Sequence, residues 1–191
     1  MAVANKRFTA HELGLLASIK GETLERIDAC IVARGDMAWN TVRLHFGNFS
    51  LDVNNRLGEI TVDELGTVDE FGLMSVSVAG NATLNVPEAS PETTVIPVEK
   101  RVVSVAVVDD IVEVYGNGKQ VASIAYPQAI LFDLGDEWLV LDKETWFEET
   151  IAVKAGADPT LLVYDDTVNW ADDLDEDPTT HYEASIQIKE I

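Results

Sequence analysis

Cysteine is almost absent from this chain, because Cys30 is the only one among its 191 residues. A single cysteine excludes an internal disulfide and any zinc site built from paired cysteines. Cys30 lies in an apolar run at residues 27–32, which is typical of a small buried side chain and not of a reactive thiol. A chain of this length can bury a core of its own without disulfides or metals.

Long apolar runs are missing as well. The longest spans residues 102–108 and is interrupted by Ser104, so it is far shorter than the roughly 20 apolar residues of a membrane-spanning helix. Near the N-terminus, His11 and Glu12 interrupt the apolar stretch that a secretory signal would need. These absences predict a cytoplasmic protein without membrane attachment.

Basic residues are scarce, with 13 Lys and Arg against 34 Asp and Glu and a formal net charge of −21 at pH 7. Residues 1–98 carry 13 acidic and 7 basic side chains, whereas residues 99–191 carry 21 and 6. Direct binding to a nucleic-acid backbone or an anionic membrane is disfavoured, because both need clustered cations. Acidity of this kind favours solubility and a basic protein partner, and imitation of a nucleic acid is an alternative.

Motifs that carry chemistry are few. The three histidines, His11, His45 and His181, lack metal-ligand spacing, and neither a nucleophile elbow nor a phosphate-binding loop is present. A histidine-based triad assembled by the fold stays open, because its members need not be close in sequence. We therefore expect no cofactor, and we favour a non-enzymatic protein over an enzyme or small-ligand binder with a pocket between two β modules.

The acidic segment at residues 165–177 is the densest chemical feature. Asp173, Asp175 and Asp177 alternate, and crowded carboxylates attract a hard cation such as calcium. An EF-hand loop would need glycine and glutamate where this chain has Pro178 and Ala184, so a metal site is the lesser alternative. The preferred interpretation is a solvated surface of an inhibitor or immunity-type protein that meets a basic partner. The candidate contact residues are Trp146, Trp170, Asp172, Asp173, Asp175 and Glu176.

Alternation of polar and apolar residues predicts a mainly β (α+β) fold with antiparallel sheets. Turn residues predict hairpins centred on residues 47–48, 116–119 and 135–137. We expect another turn at residues 54–58 and strands at residues 161–164 and 182–188. A capping box that begins at Thr9 predicts one short helix over residues 10–19.

A weak internal repeat suggests two similar β-rich modules in tandem. Residues 49–53 resemble residues 130–134, and Val68-Asp69-Glu70 resembles Phe147-Glu148-Glu149, with matched points 77 to 81 positions apart. The predicted division is a helix and first module at 1–79, a Pro-containing linker or crossing loop at 80–98, and a second module at 99–191. Packing of both modules into one domain is the alternative. The oligomeric state does not follow from the sequence.

Overall fold

The computed structural model describes residues 2–31, 37–62, 66–80, 84, 93–145, 148–164 and 180–191. These residues form helix α1 (Ala10–Ser18), a 3-10 helix (Pro159–Leu161) and an eleven-stranded sheet. The strands are β1 (Ala2–Asn5), β2 (Thr23–Ile31), β3 (Met37–Phe46), β4 (Phe49–Val62), β5 (Gly66–Val78), β6 (Thr94–Arg101), β7 (Ser104–Gly116), β8 (Lys119–Asp133), β9 (Trp138–Asp142), β10 (Thr150–Gly156) and β11 (Thr180–Glu190). The prediction of a mainly β, antiparallel fold with one short N-terminal helix is confirmed.

The sheet runs in the order β11-β7-β8-β9-β10-β3-β2-β6, with β1 attached to β8, and β4 and β5 attached beside β3. Only the β1–β8 ladder is parallel among the pairings in the described ranges. The three predicted hairpins are present as β3–β4, β7–β8 and β8–β9. In the β7–β8 turn, Asn117 and Gly118 both have positive φ, as the tight two-residue turn requires.

Two strands, β3 and β8, each pair with two different neighbours in succession along one side. We call the position where the neighbour changes a fork, and the two forks position the polar groups described below. On one side of β3, residues 37–39 pair with β10 and residues 41–46 pair with β4. Between these ladders Asn40 adopts a left-handed φ of 61°, and its N–H donates to Glu149 O over 2.8 Å. β8 pairs with β1 at residues 122–125 and with β9 at residues 129–133. Gln128 is the extra residue of a bulge between the two ladders, and bulges commonly redirect a side chain.

Two local predictions are wrong. Residues 54–58 are not a turn but lie in the middle of β4, where Asn55 pairs with Met74 and Leu57 with Gly72 of β5. Their turn-like composition is overridden because the backbone bonds to β5 and the Asn55 side chain finds partners far along the chain. Residues 161–164 do not form a strand, since a 3-10 helix occupies Pro159–Leu161 after the N-cap Asp158.

The largest hydrophobic cluster joins both halves of the chain. It includes Leu44 and Leu51 from β3 and β4, and Ile130 and Leu141 from β8 and β9. Strand β6 begins within the predicted linker and pairs with β2 along Thr94–Arg101. It lies at the end of the sheet order, an edge position where Pro97 removes no essential ladder bond. The tandem relation between the halves and the division at 80–98 stay predictions.

Helix α1 begins with the predicted capping box. Glu12 N donates to Thr9 Oγ1 at 3.3 Å, and Thr9 N donates to Glu12 Oε2 at 2.7 Å. The other Glu12 oxygen accepts from Val76 N of β5 at 3.0 Å. Leu16 and Ile19 are fully buried in the main core. The cap therefore fixes the helix start and attaches the helix to the sheet.

Replacement of Thr9 by alanine should lower the free energy of unfolding by about 1 kcal/mol, because the Glu12 amide loses its acceptor. For a chain of this size the midpoint of thermal unfolding should fall by roughly 2–4 °C. Thr9→Ser retains the hydroxyl and is the matched control. Equal midpoints for Thr9→Ala and Thr9→Ser would show that the cap does not contribute.

Candidate functional site

A cleft of about 300 Å3 lies between strands from the two halves of the chain. Its apolar walls come from β2, β6, the β8–β9 connection, β9 and β10. The apolar lining residues are Ile27, Ile96, Pro97, Val98, Leu134, Leu139, Val153 and Ala155. Three charged side chains, Lys100, Glu137 and Lys154, complete the lining. Because Ile27, Leu134 and Leu139 also belong to the main core, the cleft is an opening onto that core.

Lys154 connects the cleft to a buried carboxylate. The antiparallel β9–β10 ladder pairs Asp142 with Ala152, and Lys154 Nζ lies 3.0 Å from Asp142 Oδ2 and 2.7 Å from Glu144 Oε1. Asp142 has no solvent exposure. Its two oxygens also accept from Gln128 Nε2 at 2.9 Å, Glu144 N at 3.2 Å and Tyr164 N at 2.8 Å. Four donors thus converge on one buried carboxylate.

The electrostatics of this pair are set by burial and by the partners. Burial raises the pKa of Asp142 above its usual value, and the nearby Lys154 ammonium offsets only part of that effect. Burial alone would lower the pKa of Lys154, but Glu144 and Asp142 outweigh it and hold the pKa above its usual value. Lys154 therefore stays charged and fully engaged. At the cleft's other rim, Lys100 Nζ contacts Asp136 Oδ1 and Glu137 Oε1, each at 2.8 Å.

We expect the protein to become more stable as the pH falls from 7 towards the range in which its carboxyl groups bind protons. Burial raises the pKa of Asp142, and burial also raises the pKa of Asp109 despite its contact with Arg7. A folded-state pKa above the unfolded value near 3.8 means that the folded chain binds the proton more tightly. Stability therefore rises as the pH falls through the folded pKa. Relief of repulsion in a chain of charge −21 has the same sign.

Urea denaturation at pH 7, 6 and 5 measures this pH dependence. Asp142→Asn removes one of the two titrations and should flatten the profile. A free energy of unfolding that falls between pH 7 and pH 5 would contradict the expected sign.

A second polar arrangement lies across β2, β3 and β4. His45 Nε2 is 2.8 Å from Asp28 Oδ2, and His45 Nδ1 is 2.9 Å from Ser50 Oγ. Arg26 Nε donates to Asp28 Oδ1 at 3.1 Å, and on the same strands Arg43 makes a bidentate pair with Asp52. Serine, histidine and acid are the side chains of an acyl-transfer triad.

The row of Asp28, His45 and Ser50 spans three neighbouring strands. His45 is directly paired with Ser50 of β4, whereas Asp28 lies diagonally across from it, because the residue paired with Asp28 is Arg43. None of these side chains lines the cleft or the shallower groove near Lys20 and Arg101. An acyl-transfer site also needs a pocket and donors for the developing oxyanion. Within the described residues, the contacts of this row are those of a polar brace across β2, β3 and β4.

Lys143 is a fully buried cation next to the Asp142 cluster. Its Nζ donates to Gly72 O at 2.9 Å and lies 3.9 Å from the centroid of the Tyr126 ring and 4.9 Å from that of Phe71. Ring faces attract cations most strongly where water is excluded. Through these contacts Lys143, which directly follows β9, holds β5 in place. Its role is therefore structural.

The contact residues predicted from sequence lie outside the described part of the chain. These are Trp146, Trp170, Asp172, Asp173, Asp175 and Glu176, and the alternative metal ligand Asp177 lies outside it too. In the sequence, these residues follow closely on members of the Asp142 cluster, because Trp146 comes two positions after Glu144 and residue 165 comes directly after Tyr164. The partner surface and the calcium alternative stay predictions. Within the described ranges, no group of three or more His, Cys, Asp or Glu side chains is arranged to hold a metal.

Sequence reasoning missed Asp142, Gln128 and Lys154. One signal was available, because Asp142 directly follows the apolar run Leu139-Val140-Leu141, and a carboxylate at the end of a buried strand needs a partner. The identity of that partner depends on the β9–β10 register and on the bulge at Gln128. Neither is visible in local composition.

Comparisons with models of protein families, with curated proteins and with solved structures found no match to this chain. The helices of the described segments are all too short or too polar to cross a lipid bilayer.

Proposed function

We propose that this protein is a non-enzymatic interaction module of the inhibitor or immunity type, which presents an acidic surface to a basic protein. The observation that carries the proposal is the net charge of −21, most of which resides in residues 99–191. A surface of one sign accelerates encounter with a partner of the opposite sign and rejects partners of like sign.

The described ion pairs support the proposal because they engage basic side chains within the fold. Five basic side chains contact carboxylates: Arg7, Arg26, Arg43, Lys100 and Lys154. A sixth basic side chain, Lys143, is fully buried. These six of the chain's 13 basic residues are already engaged or enclosed, so fewer cations remain at the surface to attract an anionic partner.

The proposed contact region is the acidic segment around residues 165–177 together with Trp146 and Trp170. Tryptophan is a frequent anchor in protein interfaces, and carboxylates around it would select a cationic rim on the partner. The cytoplasm remains the proposed compartment.

The test is affinity capture from a lysate of the source organism at low and at high salt, read by mass spectrometry. We expect a basic protein that is held at low salt and released at high salt. The purified pair then allows a matched comparison of two variants that each remove four negative charges.

The test variant is Asp172→Asn, Asp173→Asn, Asp175→Asn and Glu176→Gln combined. Its control changes Glu22, Glu25, Glu59 and Glu88 to glutamine, far from the segment in sequence. The proposal requires the first to slow association by about tenfold or more and the second to change it little. If both variants slow association equally, the attraction comes from net charge alone, and the proposed contact region is wrong. If nucleic acid displaces the partner competitively, the protein acts as a nucleic-acid mimic.

A second candidate function rests on the cleft. Its apolar walls and its position between strands of both halves suit a small apolar ligand. Lys100 and Lys154 are already paired with carboxylates, so the rim favours a neutral or cationic molecule over an anion.

A neutral hydrophobic dye such as Nile red tests the cleft. Ile96→Trp would fill the cleft, whereas Val95→Trp places the same ring one residue away on the opposite face of β6, where Val95 is exposed. The ligand proposal requires dye binding that Ile96→Trp abolishes and Val95→Trp retains. Absence of binding, or equal loss in both variants, would exclude the cleft as the site.

A further inference from the structure

Strand β11 forms one end of the sheet and is unusually exposed. It pairs with β7 along all eleven residues from Thr180 to Glu190 without a bulge. No other strand of the described ranges pairs with its outer side. Residues 185–190 are exposed, and Ile186 and Ile188 retain 40% and 50% of their accessible surface. A long exposed edge with apolar side chains is a template for another strand.

The backbone groups available at this edge follow from the register. Ile191 N donates to Val105 O of β7. In an antiparallel ladder alternate residues direct their N–H and C=O to the same neighbour, so the odd-numbered residues of β11 face β7. The even-numbered residues, including Ala184, Ile186 and Ile188, therefore direct their N–H and C=O outward.

We propose that two copies of this chain associate through antiparallel pairing of their β11 strands about a two-fold axis at Ile186. In this register Ile186 faces itself, and Ala184 of each copy faces Ile188 of the other. All of these residues have outward backbone groups, as a continuous ladder requires. On the opposite face Glu183 of each copy lies across from Lys189 of the other. Directly opposed residues of unlike charge stabilise an antiparallel pair.

The charge pairing in this register favours a second copy of the chain as the partner over an unrelated strand. Moving the axis to Ser185 or Gln187 leaves Glu183 opposite Gln187 or Ile191, so the charge match is lost. Only the axis at Ile186, among these neighbouring registers, pairs both charges and keeps the apolar residues together. A two-fold axis uses the same patch twice, which such self-complementarity satisfies. This inference is independent of the proposed acidic contact region.

The test is sedimentation velocity over a concentration series in about 0.15 M salt, where the Debye length is about 8 Å and repulsion between the acidic chains is largely screened. The wild-type chain should show a concentration-dependent dimer. Glu183→Lys alone and Lys189→Glu alone should each weaken it by about tenfold or more, because two like-charged pairs replace two unlike-charged ones. The combined Glu183→Lys, Lys189→Glu chain should recover it.

Mixing the two single variants is the sharpest measurement. Glu183→Lys carries lysine at both positions and Lys189→Glu carries glutamate at both, so a heterodimer restores both unlike pairs. Each variant alone should sediment as a monomer, and the mixture should sediment as a dimer. A wild-type monomer at every concentration, single variants that dimerise as well as wild type, or a mixture without rescue would each overturn the proposal.

Ile186→Pro keeps the test valid if a charge variant fails to fold. Proline removes an outward N–H at the axis and leaves the inward bonds to β7 intact. The variant should remain folded and become monomeric. Dimerisation equal to that of wild type would overturn the proposal.

Discussion

Replacement of Asp142 by alanine is expected to lower the free energy of unfolding by about 3–5 kcal/mol, as is typical when one member of a buried ion pair is removed. For a chain of this size the thermal midpoint should fall by roughly 6–20 °C. Asp142 has no solvent exposure, so water does not replace the contacts that it makes. Thermal unfolding followed by circular dichroism measures the effect.

The size of this effect follows from the donors that lose their acceptor. Glu144 N and Tyr164 N both donate to Asp142 in partly buried positions, and a donor left without a partner away from water costs about 1–3 kcal/mol. Lys154 retains Glu144 Oε1 and Leu162 O, and Gln128 Nε2 retains Glu144 O. Because of these remaining contacts, the loss of unfolding free energy should be smaller than the cost of leaving all four donors without a partner.

Asp136→Ala is the matched control, because Asp136 also pairs with a lysine of the cleft rim but its side chain is 73% exposed. Water replaces an exposed carboxylate, so we expect almost no change in the thermal midpoint. The thermal midpoint of Asp142→Asn should lie between those of Asp142→Ala and Asp136→Ala. Asparagine keeps the volume of the side chain but directs an amide group towards Lys154 or the Tyr164 N–H. If Asp142→Ala and Asp136→Ala unfold at the same temperature, the buried cluster does not stabilise the fold.

The elements that sequence reasoning predicted correctly are those fixed by neighbouring residues. Thr9 and Glu12 are three positions apart and close the cap of α1 on their own. Asn117 and Gly118 tolerate the positive φ of the β7–β8 turn, whatever the rest of the chain does. Such local signals, repeated along the chain, were sufficient for the fold class.

The candidate site could not be predicted in the same way, because its members meet only through strand register. Lys154 reaches Asp142 from twelve positions away, and Gln128 reaches it from fourteen positions away at a bulge. Asn55 shows the converse error. Its turn-like neighbours suggested a loop, but its amide binds carbonyl groups 93 and 95 positions further along the chain.

Replacement of Asn55 by alanine should lower the free energy of unfolding by about 2–4 kcal/mol. Asn55 is fully buried, and its Nδ2 donates to Glu148 O at 2.8 Å and to Thr150 O at 2.9 Å. Both carbonyl groups would lose this donor, one in a partly buried and one in a buried position, and a lost partner costs about 1–3 kcal/mol where water cannot replace it. Because β4 and β10 lie end to end along β3 at this fork, the loss would loosen the junction between the two halves of the chain.

Asn54→Ala is the control because it removes the same side chain from the next position, on the opposite face of β4. Asn54 is only partly buried and accepts one bond, from Thr41 Oγ1 at 2.9 Å, so its loss should cost about 0.5–1.5 kcal/mol. Asn55→Asp should be more damaging than Asn55→Ala, since a carboxylate cannot donate and would face two carbonyl oxygens. Urea denaturation of the three variants gives the order directly. If Asn54→Ala is as destabilising as Asn55→Ala, the inward amide does not hold the fork together.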